Sequence, residues 1–100
     1  MAYTSTVAEL NEPGFSKKEI TLTLDGETSI ANFAYTDPKN VKPTDISLYQ
    51  TVSATDGSIV KPIFSVDVDN AQIDFTFDVE GGGDTSGAKF VMTLKFPAVP

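Results

Sequence analysis

Apolar and polar residues alternate with a period of two along most of this 100-residue chain. The clearest case is QIDFTFDVE at 72–80, in which Ile73, Phe75, Phe77 and Val79 share one face of an extended segment. Alternation of this kind predicts β-strands with one buried face. Further segments with the same pattern are 18–25, 29–36, 46–54, 59–68 and 89–96.

Two of these segments refine the prediction. In SIANFAYT at 29–36 both alternating sets contain apolar residues, so we expect a strand that can bury both of its faces. In ISLYQTVSA the pattern places Ile46, Leu48 and Val52 on one face and Tyr49 on the other.

Turn residues separate the segments at intervals of about ten residues. Asp25-Gly26 marks a turn, the TDGS sequence at 55–58 is typical of a hairpin, and the glycines at 81–83 predict a flexible loop. Pro62 lies inside its segment, which favours an edge strand or a bulge, because proline donates no hydrogen bond to a β-ladder.

The length of the chain fits one domain. We expect an N-terminal arm or first strand in residues 1–16, the main domain in 17–96 and a C-terminal tail in 97–100. The six or seven antiparallel strands predict an all-β fold, a single compact β-sandwich of immunoglobulin-like or related Greek-key type. A small β-barrel is the alternative.

The composition excludes several classes of function. The chain contains no His, Cys or Arg, and its net charge is −7. Without His or Cys, the usual nucleophilic triads and thiolate metal sites cannot form. The excess of carboxylates repels nucleic acid and anionic lipid. We therefore expect no enzyme, no cofactor, and neither a nucleic-acid nor a membrane partner.

We expect neither a signal peptide at the start of the chain nor a membrane-spanning helix within it. The opening MAYTSTVAEL lacks the basic and apolar regions of a signal peptide. No apolar run reaches the roughly 20 residues of a membrane-spanning helix.

The acidic stretch DVDNAQIDFTFDVEGGGD invites comparison with a calcium-binding loop. Counted from Asp67, the fifth position of an EF-hand loop holds Ala71 and the glycine position holds Gln72, so that match fails. We interpret the stretch as a turn followed by a strand with an acidic outer face. A weak calcium site formed by Asp67, Asp69 and Asp84 is the alternative.

The leaderless opening MAYTSTVAEL, the short Thr-rich β-domain and the apolar close KFPAVP together resemble small virion proteins of tailed bacteriophages, such as head-decoration or cement proteins. The resemblance implies a non-enzymatic structural protein that is made in the host cytoplasm and resides in the virion. Its partners would be capsid or other virion subunits. It would also form a homo-oligomer, with a trimer among the candidate forms.

Contacts with such partners are expected at the irregular ends of the chain. The candidate partner-binding residues are Tyr3, Val7, Leu10, Phe15, Phe96 and Val99. The competing interpretation is that these side chains cap the open ends of the sandwich.

The alternative function is an immunoglobulin-like recognition module that binds a carbohydrate or a host surface receptor. The loop and strand DTSGAKF at 84–90 resembles the corner of immunoglobulin-type sandwiches, with Phe90 where that family has Tyr. Sugar platforms use exposed aromatic rings. This alternative therefore requires Tyr35 and Tyr49 to be exposed and coplanar.

Overall fold

The computed structural model describes residues 3–10 and 13–97, which form seven β-strands and one short 3-10 turn at Glu80–Gly82. The strands are β1 (Thr4–Glu9), β2 (Phe15–Thr23), β3 (Ser29–Ala34), β4 (Asp45–Val52), β5 (Val60–Asp67), β6 (Gln72–Val79) and β7 (Lys89–Pro97). In these ranges no helix is long and apolar enough to cross a membrane.

The strands form two antiparallel sheets that pack as a β-sandwich, as the alternation predicts. The four-stranded sheet, sheet A, has the order β1-β2-β7-β4, and the three-stranded sheet, sheet B, has the order β3-β6-β5. In the immunoglobulin constant-type order the fifth strand lies between the second and the fourth. Here β7 takes that place, so the order of sheet A differs from that of the immunoglobulin constant type.

Aromatic side chains from both sheets fill the core. The rings of Phe33 and Phe75 meet edge to face with centroids 6.1 Å apart, and Phe75 and Phe77 stack at 5.9 Å. Phe77 reaches across to Phe90 of β7 at 5.2 Å. These contacts add to the burial of apolar area and join sheet B to sheet A.

A bulge in β3 changes the expected pattern of burial in that strand. Its pairing with β6 shifts register between Ile30 and Phe33, and Asn32 adopts a left-handed conformation with φ of 56°. The extra residue brings Ile30 and Phe33 onto the same buried face, although they are three apart in sequence. The strand therefore buries one face, and the expectation of two buried faces is wrong.

A second register shift lies in β4, between Gln50 and Val52. Ile46 and Leu48 point inward as predicted, but Val52 pairs with Lys89 and is 49% exposed. The prediction that Val52 shares the inner face is therefore wrong, because the bulge inverts the alternation at the end of the strand.

The N-terminal segment contains a regular first strand, β1. β2 starts at Phe15, so the expected boundary after residue 16 falls inside a strand. At the other end, β7 continues to Pro97.

Candidate protein-binding edge

Strand β1 differs from every other strand because all six of its residues are exposed. Among the strands of the described residues it pairs with β2 alone, and it forms one edge of sheet A. Val7 faces Ile20 across this pair and lies on the same side of the sheet as that fully buried residue, yet it is 43% exposed. Sheet A therefore extends beyond the packed core by one strand.

The hydrogen bonds between β1 and β2 show which backbone groups of β1 are free. The N–H of Leu10 donates to the carbonyl of Lys17 at 2.8 Å. In an antiparallel ladder, hydrogen-bonded and non-hydrogen-bonded pairs alternate. In the observed register, the N–H and C=O groups of Ser5, Val7 and Glu9 therefore point away from β2, along an open edge.

The other edges of the two sheets carry features that obstruct strand addition. Next to β5, the N–H of Glu80 donates to the carbonyl of Ile59. Because hydrogen-bonded pairs alternate along the ladder, the nitrogen of Pro62 points away from β6, to the open side. Proline has no N–H to donate there, so it obstructs strand addition. The prediction of an edge strand at Pro62 is thus confirmed. In β3 the bulge interrupts the edge, and the N–H of Asn32 donates to Asp74 at 2.7 Å.

Strand β4, the other edge of sheet A, is also bulged, between Gln50 and Val52. By contrast, β1 is regular over its whole length, and its sequence TSTVAE contains no proline, no lysine and a single charge at the end. Natural edge strands are usually blunted by such features. The open edge of β1 is therefore the best candidate in the described chain for pairing with another strand.

A buried lysine anchors β1 to the sandwich. The ammonium of Lys18 donates to the carbonyl of Tyr35 at 2.7 Å and lies 3.3 Å from the carboxylate of Glu9. The Lys18 side chain is only 9% exposed, so its charge requires both partners. Glu9 is thereby held in place at the end of the open edge.

The outer face of sheet A is rich in hydroxyl groups. A shallow depression of about 190 Å³ is lined by residues of β1, β2 and β7, which are Thr4, Ser5, Thr6, Thr21, Thr23 and Lys89. On the same face, Tyr49 is half-exposed beside Val91 of the neighbouring strand. The outer face of sheet B is more acidic, because Asp74 and Asp78 point outward from β6, as predicted.

The residues expected to contact partners do not form one surface. Val7 lies on the inner side of β1, whereas Leu10, 42% exposed, pairs with Lys17 on the outer side. Phe15 is half-buried, with the ammonium of Lys95 at 4.2 Å from its ring centre.

The remaining candidates lie closer to the core or beyond it. Tyr3 packs against the core and is partly buried. Phe96 is fully buried, with its ring 5.8 Å from that of Tyr35, so the expectation that it contacts a partner needs correction. Val99 falls outside the described residues.

The proposed calcium ligands are far apart. Asp67 ends β5, and Asp69 lies in the turn before β6, whereas Asp84 follows the other end of β6. A strand of eight residues spans roughly 26 Å, which is too far for a shared ion. Asp67 instead accepts hydrogen bonds from Asn70, and residues 3–10 and 13–97 contain no cluster of acidic groups suited to a metal.

Two tyrosines were expected to decide the carbohydrate alternative. Tyr35 is buried in the core and Tyr49 lies on the outer face of β4, so they form no shared platform. Burial raises the pKa of the Tyr35 hydroxyl above 10.0, and the charge of Asp67 raises it further.

Two exposed groups have shifted pKa values with local causes. Hydrogen bonds from Ser58 lower the pKa of Asp56, and the backbone N–H of Asp84 also donates to that carboxylate, at 3.1 Å. The pKa of Lys61 is raised by its hydrogen bond and ion pair with Glu80, at 2.9 Å. These contacts connect loops and strand ends.

Comparisons with known proteins give no relative. No protein-family model matches the chain, and no curated protein or solved structure matches it either.

Proposed function

We propose that this chain is a non-enzymatic structural protein that binds other protein subunits, and that it does so by pairing a strand with the open edge of β1. One observation carries the proposal: β1 is exposed on both faces, and no strand within residues 3–10 and 13–97 pairs with the backbone groups of Ser5, Val7 and Glu9. An unobstructed edge of this kind is a template for another strand.

Strand addition suits a protein without reactive side chains. Backbone hydrogen bonds supply the affinity, and the side chains that flank them supply the selectivity. The flanking groups are small: Ser5 and Val7 lie on the inner side, and Thr4, Thr6 and Ala8 lie on the outer side. An incoming strand would therefore meet little steric hindrance on either face.

The resemblance to small virion proteins favours a tailed-phage particle as the place where this binding occurs. The chain would be a capsid decoration protein or a minor virion protein of that particle. A decoration protein stabilises its lattice by mass action, because it binds the assembled surface and not the loose subunit.

The test follows the chain in the host that produces it. A lysate is separated on a density gradient, and an antibody locates the chain among free proteins and virion-sized particles. We expect the chain to sediment with the particles. We also expect a Val7→Pro variant to remain with the free proteins, because proline removes the central donor of the open edge without removing a β1–β2 hydrogen bond.

The matched control is Ile63→Pro on β5. Ile63 points its backbone toward β6, so this variant damages a ladder far from β1. It would lose stability but keep its affinity for particles in whatever fraction folds. The proposal is wrong if the unmodified chain sediments only with free proteins. It is also wrong if the same fraction of Val7→Pro and of the unmodified chain sediments with particles.

A further inference from the structure

We infer that the open edge of β1 pairs with the β1 strand of a second copy, antiparallel and across a twofold axis. The four strands of sheet A in each copy would then form one continuous sheet. The inference rests on the proposed function, since it uses the same edge and names its first partner.

The edges of the chain itself restrict what a second copy can offer. Pro62 obstructs the open side of β5, and bulges distort β3 and β4. Within residues 3–10 and 13–97, β1 is the one edge strand that contains neither a bulge nor a proline. A second copy can therefore extend sheet A with the least distortion through its own β1.

The spacing of the free backbone groups selects a symmetric register. If Val7 faces Val7 of the second copy, then Ser5 faces Glu9 and Thr6 faces Ala8. The free groups of residues 5, 7 and 9 then meet one another in three pairs, and each pair exchanges two hydrogen bonds. The interface is isologous, as a closed dimer requires.

The charges in this register are compatible with self-pairing. Residues 4–8 are uncharged, and the one carboxylate, Glu9, already has the ammonium of Lys18 at 3.3 Å. In the dimer Glu9 faces the hydroxyl of Ser5, so no like charges are opposed. The net charge of −7 on each copy still opposes association at longer range, so added salt should strengthen the dimer.

The small size of the edge predicts a weak dimer. A strand of six residues buries far less than the roughly 800 Å² per partner of a standard interface. We therefore expect half-association between about 10 μM and about 1 mM. In a particle, neighbouring contacts would raise the effective concentration of such an edge.

The first test is sedimentation equilibrium of the purified chain from about 10 μM to about 1 mM, at about 0.15 M and about 0.5 M salt. The mass should rise toward twice the 10.7 kDa of one chain, more so at the higher salt. Adding a chelator should change nothing. Val7→Pro should remain at the mass of one chain, while Val7→Thr, which keeps the donor, should associate within about threefold of the unmodified chain.

The second test reads the register directly and does not depend on proline. Because the chain lacks cysteine, Val7→Cys introduces a single thiol, and its Cα would lie about 5.5 Å from its counterpart, within disulfide range. Ser5→Cys is the matched control on the same edge, since its counterpart would be four positions away. Mild oxidation should cross-link Val7→Cys at least tenfold faster than Ser5→Cys.

Each outcome decides the inference. A single-chain mass at every concentration, a closed trimer, association that survives Val7→Pro, or equal cross-linking of the two cysteine variants would overturn it. If the chain is monomeric while Val7→Pro still abolishes sedimentation with particles, the twofold pairing is wrong and the proposed function stands. If Val7→Pro abolishes dimerisation but leaves particle binding intact, the twofold pairing stands and the proposed binding of particles through β1 is wrong.

Discussion

Strands β1 and β5 are both edge strands, but they differ in burial and in whether their open side is obstructed. In β5 buried or half-buried residues alternate with exposed ones, and Pro62 lies on its open side. β1 is exposed throughout, and nothing in its sequence obstructs its open side. Side chains of β5 pack in the core of the sandwich, whereas none of β1 is buried. The edge that the core needs is therefore obstructed by proline, and the edge that contributes little to the core is open.

This difference has a physical basis. An open edge is an aggregation hazard, and natural sheets usually reduce it with proline, charge or bulges. A regular edge strand with a single charge at its end and no buried side chain contributes little to the stability of the monomer. Its retention is expected when the edge serves a partner.

The largest expected effect is the difference in stability between a substitution in the core of sheet B and one in β1. Phe75 of β6 is buried between Phe33 and Phe77, and Phe75→Ala should reduce the free energy of unfolding by about 3–5 kcal/mol. Val7→Ala should change it by less than about 0.5 kcal/mol. Urea titration measures both values, and similar losses would show that β1 belongs to the core.

The next effect concerns the anchor of β1. Lys18→Met keeps the length of the side chain but removes the ammonium that donates to the carbonyl of Tyr35, which keeps the N–H of Asp37 as a donor at 2.9 Å. The loss of this charged hydrogen bond should destabilise the protein by about 1–3 kcal/mol. Glu9→Gln, at the exposed end of the same ion pair, should cost less than about 1 kcal/mol. Equal stability of Lys18→Met and the unmodified chain would contradict the anchoring role.

Pro62→Val should make β5 resemble β1. The change restores a donor on the open side of β5, so new association should appear in light scattering even when Val7→Pro closes the β1 edge. The stability of the monomer should change by no more than about 1 kcal/mol. If the double variant scatters light like Val7→Pro alone, proline does not protect this edge.

The smallest effect concerns Tyr35, which contacts groups of both regions. Its carbonyl accepts a hydrogen bond from Lys18. Burial raises the pKa of its hydroxyl, and the charge of Asp67 in β5 raises it further. Above pH 10 the unfolded chain loses the tyrosine proton while the folded chain retains it, so this contribution to stability is present below pH 10 and lost as the pH rises.

Tyr35→Phe should therefore reduce the decline in stability above pH 10. At pH 7 it should be neutral or slightly stabilising, because the hydroxyl is buried without a hydrogen-bond partner among the described residues. Urea midpoints between pH 8 and about pH 11 measure both effects, with Tyr49→Phe as the exposed control. An unchanged alkaline decline in Tyr35→Phe would contradict this account.

Much of the fold could be predicted from local alternation. The inward faces of β6 and β7 and the outward Asp74 and Asp78 follow from a period of two. The same rule could have identified Lys18, which is in phase with the buried Ile20 and Leu22. A lysine on an apolar face indicates a buried partner, and this signal was missed.

The candidate edge was less accessible to prediction. The sequence suggested a first strand or an arm near the N-terminus, and Val7 was among the expected contact residues. Nothing local showed that the backbone of Ser5, Val7 and Glu9 is free, because that depends on which neighbour β1 has and on which side. Burial of Phe96 likewise depends on its contact with Tyr35, a residue 61 positions earlier in the chain.

The sequence by itself determined the β class, the positions of the turns and most of the core faces, because alternation and turn chemistry act within a few residues. The expectation that TDGS closes a hairpin is wrong, because it connects β4 of sheet A to β5 of sheet B. The tertiary structure decided the strand order, the two bulges, the burial of Lys18 and Phe96, and the choice of β1 as the open edge. These features arise from pairing between distant segments, in which one extra residue inverts the alternation and one missing neighbour leaves a strand exposed.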